Sequence, residues 1–446
     1  MARGPKRRLV LAALVAVALV ASACGDDDGG GDDAAATTAA PATTSGTTGG
    51  STASSEPNEA SAPGITEDRV LVGGISSATG PASSLYQNVE RTFEARFALE
   101  NERGGVHGRE LELRFVDDAS NPTQNLSAVQ SLVNNDKVFA VLSASAFLFG
   151  SFRFLQEQGV PVIGSATDGN EWYLEPNTNM VSTGGNGSPN RPQYTGAADF
   201  IKSLDGTRVG SLGYGQSPSS SDAAKKFHEF AVPAAGLEPA YLNVSIPFGS
   251  VDVGTIVLDM KNANVDSLYL PLIDNTNLAI VTAAKQNDME LVAPILVTGY
   301  GQNILDQPTA REAGQDAYFQ SQYRPIELEN EGTLEMVDAL KRFADFEGVP
   351  DYAMYTAWLA ADLFIEGLKA AEQNPTRESY LDALHGLGTY DGGGLLPRDV
   401  DISLEGFGKP QPEACSWYMQ LKGSEFVPVP PSGEPVCGRL IPESDR

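Results

Sequence analysis

The sequence predicts an α/β protein built from two doubly wound parallel sheets, each with helices on both faces. Three observations carry that prediction. From residue 65 onward, short apolar runs alternate with stretches whose apolar residues recur every third or fourth position. The alternation runs through four strands, pauses, and restarts near residue 209. Several of the short runs end in Gly or Asp, which suits buried strands feeding tight turns.

In chain order, residues 70–75 (Val-Leu-Val-Gly-Gly-Ile) form the first predicted strand, followed by a turn at Thr79-Gly80-Pro81. Leu85, Val89, Phe93 and Phe97 mark one amphipathic helix that Gly104-Gly105 stops. Leu111, Leu113 and Phe115 alternate with Glu112 and Arg114, giving a strand closed by Asp117-Asp118. Asn121-Pro122 precedes a helix carrying Leu126, Val129, Leu132 and Val133. A strand over 138–142, a helix over 146–158 and a strand over 160–163 complete the first series. Its β-α-β-α-β-α-β order demands right-handed crossovers.

The second series reads as strands over 209–213, 241–246, 267–271, 294–298 and 317–320. Helices are expected over 220–231, 251–263 and 275–287. Helices over 329–346, 351–373 and 376–386 follow. Residues 417–421 and 426–429 around Lys422-Gly423 read as a hairpin. Two such sheets make two lobes with a cleft between them. Ligands of open α/β sheets sit beyond the carboxyl ends of strands at a switch in strand order. The turns at 76–86, 143–148, 164–168, 214–220, 272–276 and 299–302 are therefore the candidate site.

Composition narrows the function. Among 446 residues, 58 are Asp or Glu and 30 are Lys or Arg, a formal net charge of −28. That argues against nucleic acid, whose phosphates need clustered cations, and against adhesion to anionic lipid. Three scattered histidines (His107, His228, His385) and three cysteines do not make a zinc cluster, and no metal or cofactor is implied. Gly215-Gln216-Ser217-Pro218-Ser219 lacks the closing glycine of a nucleophile elbow, and Gly299-Tyr300-Gly301 lacks the third glycine of a dinucleotide fingerprint. No P-loop is present, and an enzyme is not expected.

The amino terminus reads as an address. Arg3, Lys6, Arg7 and Arg8 precede an apolar run over 9–20, too short to span a bilayer, so residues 1–23 form a signal peptide. Ala21-Ser22-Ala23-Cys24 resembles a bacterial lipobox, which implies lipidation of Cys24. Loss of residues 1–23 would take the net charge from −28 to −32. Membrane attachment would then come from acyl chains. Residues 25–64 are Gly, Asp, Ala, Thr, Ser, Pro, Glu and a single Asn, with no Leu, Ile, Val, Met or aromatic residue, and read with Cys24 as a disordered stalk (24–64) of about 35 Å mean span. The aspartates at 26–28 and 32–33 lack calcium-loop spacing and read as solvated charge.

A set of ordered pieces then points to a family. Val72-Gly73 and Thr79-Gly80-Pro81 are followed by Glu100-Asn101 with Gly104-Gly105-Val106-His107-Gly108-Arg109, then Asp117-Asp118 with Asn121-Pro122, then Val160-Pro161-Val162-Ile163. Over residues 66–430 the chain resembles a type I periplasmic solute-binding protein of the branched-chain amino-acid (Leu/Ile/Val) class that serves ABC importers. The resemblance implies two lobes, 65–184 plus 326–408 and 185–325 plus 409–440. They would be joined by a hinge of three crossovers near 183–186, 323–326 and 406–411. It implies a monomer that closes on a small polar ligand (an amino acid or related carboxylate or amide) and delivers it to an ABC permease. A sensor domain of the same fold is the other reading.

For the ligand carboxylate, the matching positions are Ser145-Ala146 and Ser165-Ala166-Thr167. The family's acidic ammonium partner falls at Tyr300, with Asp274 the nearest acid; Tyr86 and Tyr214 are further aromatic candidates. With Cys24 lipidated, Cys415 and Cys437 are the two remaining thiols, and an oxidising compartment favours their pairing.

Overall fold

Four largely buried runs and one alternating edge strand in the first half of the chain become one parallel sheet: β1 (Arg69–Ser76), β2 (Glu110–Asp117), β3 (Val141–Ala144), β4 (Val162–Gly164) and β5 (Met180–Ser182), with the alternating β2 at one edge. Their spatial order is 2-1-3-4-5, all neighbours parallel. The architecture is that of a computed structural model. It describes residues 57–445 apart from 87, 167–168, 185–192, 251 and 411–412. The expected signal peptide, Cys24, most of the stalk and Thr167 lie outside the described residues.

Helices cover both faces of this sheet. On one, Phe93 and Phe97 of helix Val89–Glu102 pack with helix Tyr352–Ala370, which is buried almost all round. Phe97, Phe139, Phe364 and Tyr380 interlock there, with ring centroids 5.3–6.4 Å apart. On the other face, Val129, Leu132 and Leu155 pack under Ile75, Val141 and Val162. Asn121 caps helix Pro122–Ser131, accepting from the amides of Thr123 and Gln124 at 2.8 and 3.1 Å.

The Gly-Gly-Val-His-Gly-Arg stretch is a structural knot. Gly105 takes φ +69°, and a Cβ there would sit 2.0 Å from the Arg109 carbonyl oxygen. The turn aims the buried Arg109 at the carbonyls of Thr66 (2.7 Å), Gln373 (2.6 Å) and Glu59 (3.1 Å) and at Asn374 Oδ1 (2.8 Å).

The second sheet comprises β6 (Arg208–Tyr214), β7 (Glu238–Ile246), β8 (Ser267–Leu270), β9 (Ala293–Leu296) and β10 (Tyr318–Ser321). Beyond a two-residue ribbon, β11 (Thr389–Tyr390) with β12 (Val400–Asp401), come β13 (Glu413–Lys422), β14 (Glu425–Val429) and β15 (Val436–Arg439). The order is 14-13-10-9-8-6-7, with β15 on β13. The core β7-β6-β8-β9-β10 is parallel. The expected hairpin adds itself antiparallel to β10, so the sheet is mixed.

Several expectations shift. The strand expected over 138–142 lies at Val141–Ala144, because Val138 to Ala140 is a buried approach whose carbonyls at 138 and 139 accept from Arg377. The helix expected through Leu85 and Val89 is two, Ser83–Tyr86 and Val89–Glu102. That over 146–158 is a 3-10 turn, Leu148–Gly150, then helix Phe152–Glu157. Helix Gly196–Ser203, β5 and β15 were not read from the sequence. Cys415 and Cys437 face each other across β13 and β15 and form a disulfide. The chain passes between the sheets three times, after β5, after β10 and before β13.

Candidate functional site

Strand order reverses between β1 and β3 in the first sheet and between β6 and β8 in the second. The carboxyl ends at both reversals border one cavity of about 400 Å³. From the first sheet's side come Leu85, Tyr86, Ala146, Ser165 and Ala166; from the second's come Tyr214, Leu272, Ile273 and Thr298. Five of the expected site residues, Tyr86, Ala146, Ser165, Ala166 and Tyr214, are thus brought together.

Their chemistry is mostly aromatic and hydroxylic. Tyr214 is held by its phenol, which donates to Thr276 Oγ1 at 2.7 Å and accepts from the Ile273 amide at 3.2 Å. Burial pushes that phenol up to about 12, so it stays neutral. Its ring meets Phe248 at 4.6 Å. Ser165 Oγ lies 3.5 Å from Tyr352 Oη. The Ala166 amide, expected to face an anion, donates instead to Ser182 Oγ at 3.3 Å.

Three expected residues do not line the cavity. Ser145 is 2% exposed and turned inward: its hydroxyl donates to Asp118 and accepts from the Phe147 amide at 2.9 Å. Asp118 is fully buried and also takes Asn125 Nδ2 at 3.0 Å and the Ser120 amide at 2.9 Å. A buried carboxylate needs such donors, and Ser145 is one of them. Asp274 opens helix Asp274–Gln286 and accepts from Ser84 Oγ (2.8 Å), Asn303 Nδ2 (2.8 Å) and the Asn275 amide (2.9 Å). The Ser84 contact joins the two sheets' layers, so this carboxylate ties one to the other. Tyr300 is buried against Phe426; its phenol donates to Glu327 and accepts from the Ile326 amide at 3.1 Å. Burial raises it well above the ordinary phenol range.

Sequence reasoning missed much of the wall. Tyr173, Tyr194, Tyr269, Tyr323, Tyr352 and Tyr418 all border the cavity, as do Gln320, Ser416 and Cys415. One signal was available: Tyr269 breaks the apolar run of β8, standing opposite in facing to Leu268 and Leu270. Among the described residues no cluster of three or more His, Cys, Asp or Glu is placed to hold a metal. No helix there is long and apolar enough to cross a membrane.

Comparison with known proteins fits this geometry. The family model for periplasmic binding proteins matches residues 69–425. The Leu/Ile/Val-binding protein homolog 3 of Brucella melitensis is 25% identical over 206 residues, 45% of this chain and 53% of that one. The chain thus matches about half the length of that curated relative. Among solved structures, the benzoate-bound ABC-transporter solute-binding protein of R. palustris superposes with a TM-score of 0.66. It is 15% identical, over 84% of this chain and 98% of that one. LivJ of Streptococcus pneumoniae with isoleucine gives 0.64 at 16% identity, over 84% and 99%. These are solute-binding proteins, not enzymes. On the match across residues 69–425, the chain belongs to the periplasmic binding protein family, as the ordered motifs between Val72 and Ile163 imply.

Proposed function

We propose that this chain is an extracytoplasmic solute-binding lipoprotein that captures a small molecule between two lobes and hands it to an ABC permease. One observation carries the reading: a single cavity draws its wall from the carboxyl ends of both sheets, with Tyr86 and Ser165 on one side and Tyr214 and Thr298 on the other. A ligand touching both sides favours the closed arrangement by the free energy of the contacts that only closure supplies. The lobes are taken as 65–184 plus 326–408 and 185–325 plus 409–440. The three chain passages between the sheets support that division. Such a protein works as a monomer, tethered by a lipid on Cys24.

The structural neighbours hold ligands as different as benzoate and isoleucine. The ligand must therefore be read from this chain's own wall. Of the chemistries suggested by the sequence, an amide suits a wall whose polar groups are mostly hydroxyls and carboxamides.

The test is a metabolite screen by thermal shift, followed by solution scattering. One ligand class should raise the melting temperature in proportion to the logarithm of its concentration and shrink the radius of gyration. Ser165→Ala should weaken that ligand by about 1 kcal/mol, the size of one neutral hydrogen bond. No stabilising ligand and no contraction would remove the solute-binding reading. For the tether, Cys24→Ala should release the protein from the membrane fraction into the medium; retention would refute the anchor.

A further inference from the structure

Among the described residues, the charged side chains that line the cavity are Arg398 and its neighbour Asp399, and the part bounded by Tyr269, Gln320, Ser416 and Tyr418 has none. The two positions where an ammonium partner was expected are committed elsewhere: Asp274 to Ser84 and Asn303, and Tyr300 to Glu327. Moving an ammonium or a carboxylate from water into that uncharged part, away from Arg398 and Asp399, leaves it without a paired charge and is costly. A free amino acid would carry both.

Shape is the second observation. The wall runs from Tyr214 at the end of β6 past Tyr269 on β8 and Gln320 on β10 to Ser416 and Tyr418 on β13. In the sheet, β6 and β13 are four strand steps apart, about 19 Å at the usual strand spacing. Tyr269 and Tyr418 share the face of the sheet that Phe227 covers. Ala197 and Ala223, on the helices over that face, complete the inner part. The cavity therefore extends from the cleft into the layer between sheet and helices. Ten of its lining residues are aromatic, eight of them tyrosine, so the space favours flat rings.

The third observation is an unmet hydrogen bond. Gln320 Nε2 donates to Ser416 Oγ at 2.9 Å, while its buried Oε1 has no partner. Whichever way the carboxamide is turned, one end is left for a ligand, and a hydroxyl or amide can satisfy either.

We propose that the cavity takes an elongated, uncharged aromatic ligand of two or more rings, with a hydroxyl or amide at its inner end that bonds Gln320. This rests on reading the cleft as a solute site. It replaces the amino acid that the resemblance implies.

The test is calorimetric titration of the exported protein with para-hydroxybiphenyl, para-methylbiphenyl, phenol, biphenyl-4-carboxylate, phenylalanine and leucine. Para-hydroxybiphenyl should bind at least about tenfold more tightly than phenol, the carboxylate or either amino acid. Ala223→Phe, which fills the inner part, should cost para-hydroxybiphenyl at least about tenfold and leave phenol within about twofold. Gln320→Leu should abolish the preference for para-hydroxybiphenyl over its methyl analogue. Tighter binding of leucine or phenylalanine would overturn the ligand class and leave the solute-binding reading standing. Failure of every probe to bind would also overturn the class. The solute-binding reading is judged separately, by the metabolite screen and the contraction on closure.

Discussion

Asp351 should make the protein less stable as pH rises from 3.8 to about 7, and replacing it with Asn should remove the effect. The side chain caps helix Tyr352–Ala370, accepting from the Met354 amide at 2.9 Å, yet is only 5% exposed. Burial raises its carboxyl from 3.8 to about 7; the nearby Asp274 carboxylate adds to the rise, and the helix amides oppose it. The sign follows from proton counts. Between those two values the folded protein holds a proton that the unfolded chain has released, so stability falls with pH. Below 3.8 both states are protonated and nothing is lost; above about 7 the full cost is present.

A rise from 3.8 to about 7 corresponds to about 4 kcal/mol at pH 8 and about 1.5 kcal/mol at pH 5. Asn keeps the capping oxygen and carries no charge. Urea unfolding of wild type and Asp351→Asn at the two pH values should therefore show the variant gaining about 2–3 kcal/mol more at pH 8 than at pH 5. An equal change at both would show that Asp351 is not the titrating group.

Two further outcomes test the scaffold. Arg109→Ala should cost about 3 kcal/mol in urea unfolding and expose residues 57–66 to protease, because three backbone carbonyls lose a charged donor. A loss under about 0.5 kcal/mol would mean that water replaces it. Cys437→Ser should cost about 3 kcal/mol, the chain-entropy value for bridged residues 22 apart, and unreduced protein should show no free thiol at these two positions.

Most strands of the two parallel cores were legible in the sequence because buried parallel strands are uninterrupted apolar runs, as at Val70 to Ile75 and Ala293 to Leu296, whereas the three-residue β5 and the late β15 were not. Helix Gly196–Ser203 was not: it is short, begins with Gly-Ala-Ala, and is held by β15, an element that itself follows a proline-rich stretch. At the site, position along the chain showed which turns converge but not which way a side chain points. Ser145 and Ala146 are neighbours, yet Ala146 borders the cavity while the full burial of Asp118 draws the Ser145 hydroxyl away from it. Likewise Tyr300 follows β9, as expected of a ligand-facing turn, but a carboxylate 27 residues on takes its phenol. Long-range partners of this kind leave no periodic trace.

The Arg109 knot has a mechanical corollary. Asn58 and Glu59 are pinned to Gln373 and Asn374 at the amino-terminal edge of the first sheet, whereas the cavity opens beyond its carboxyl edge. If the chain is tethered upstream and closes as proposed, a tug along it would be absorbed at that far pole, in hydrogen bonds anchored to one guanidinium, and the cavity's mouth would move without straining against its mooring.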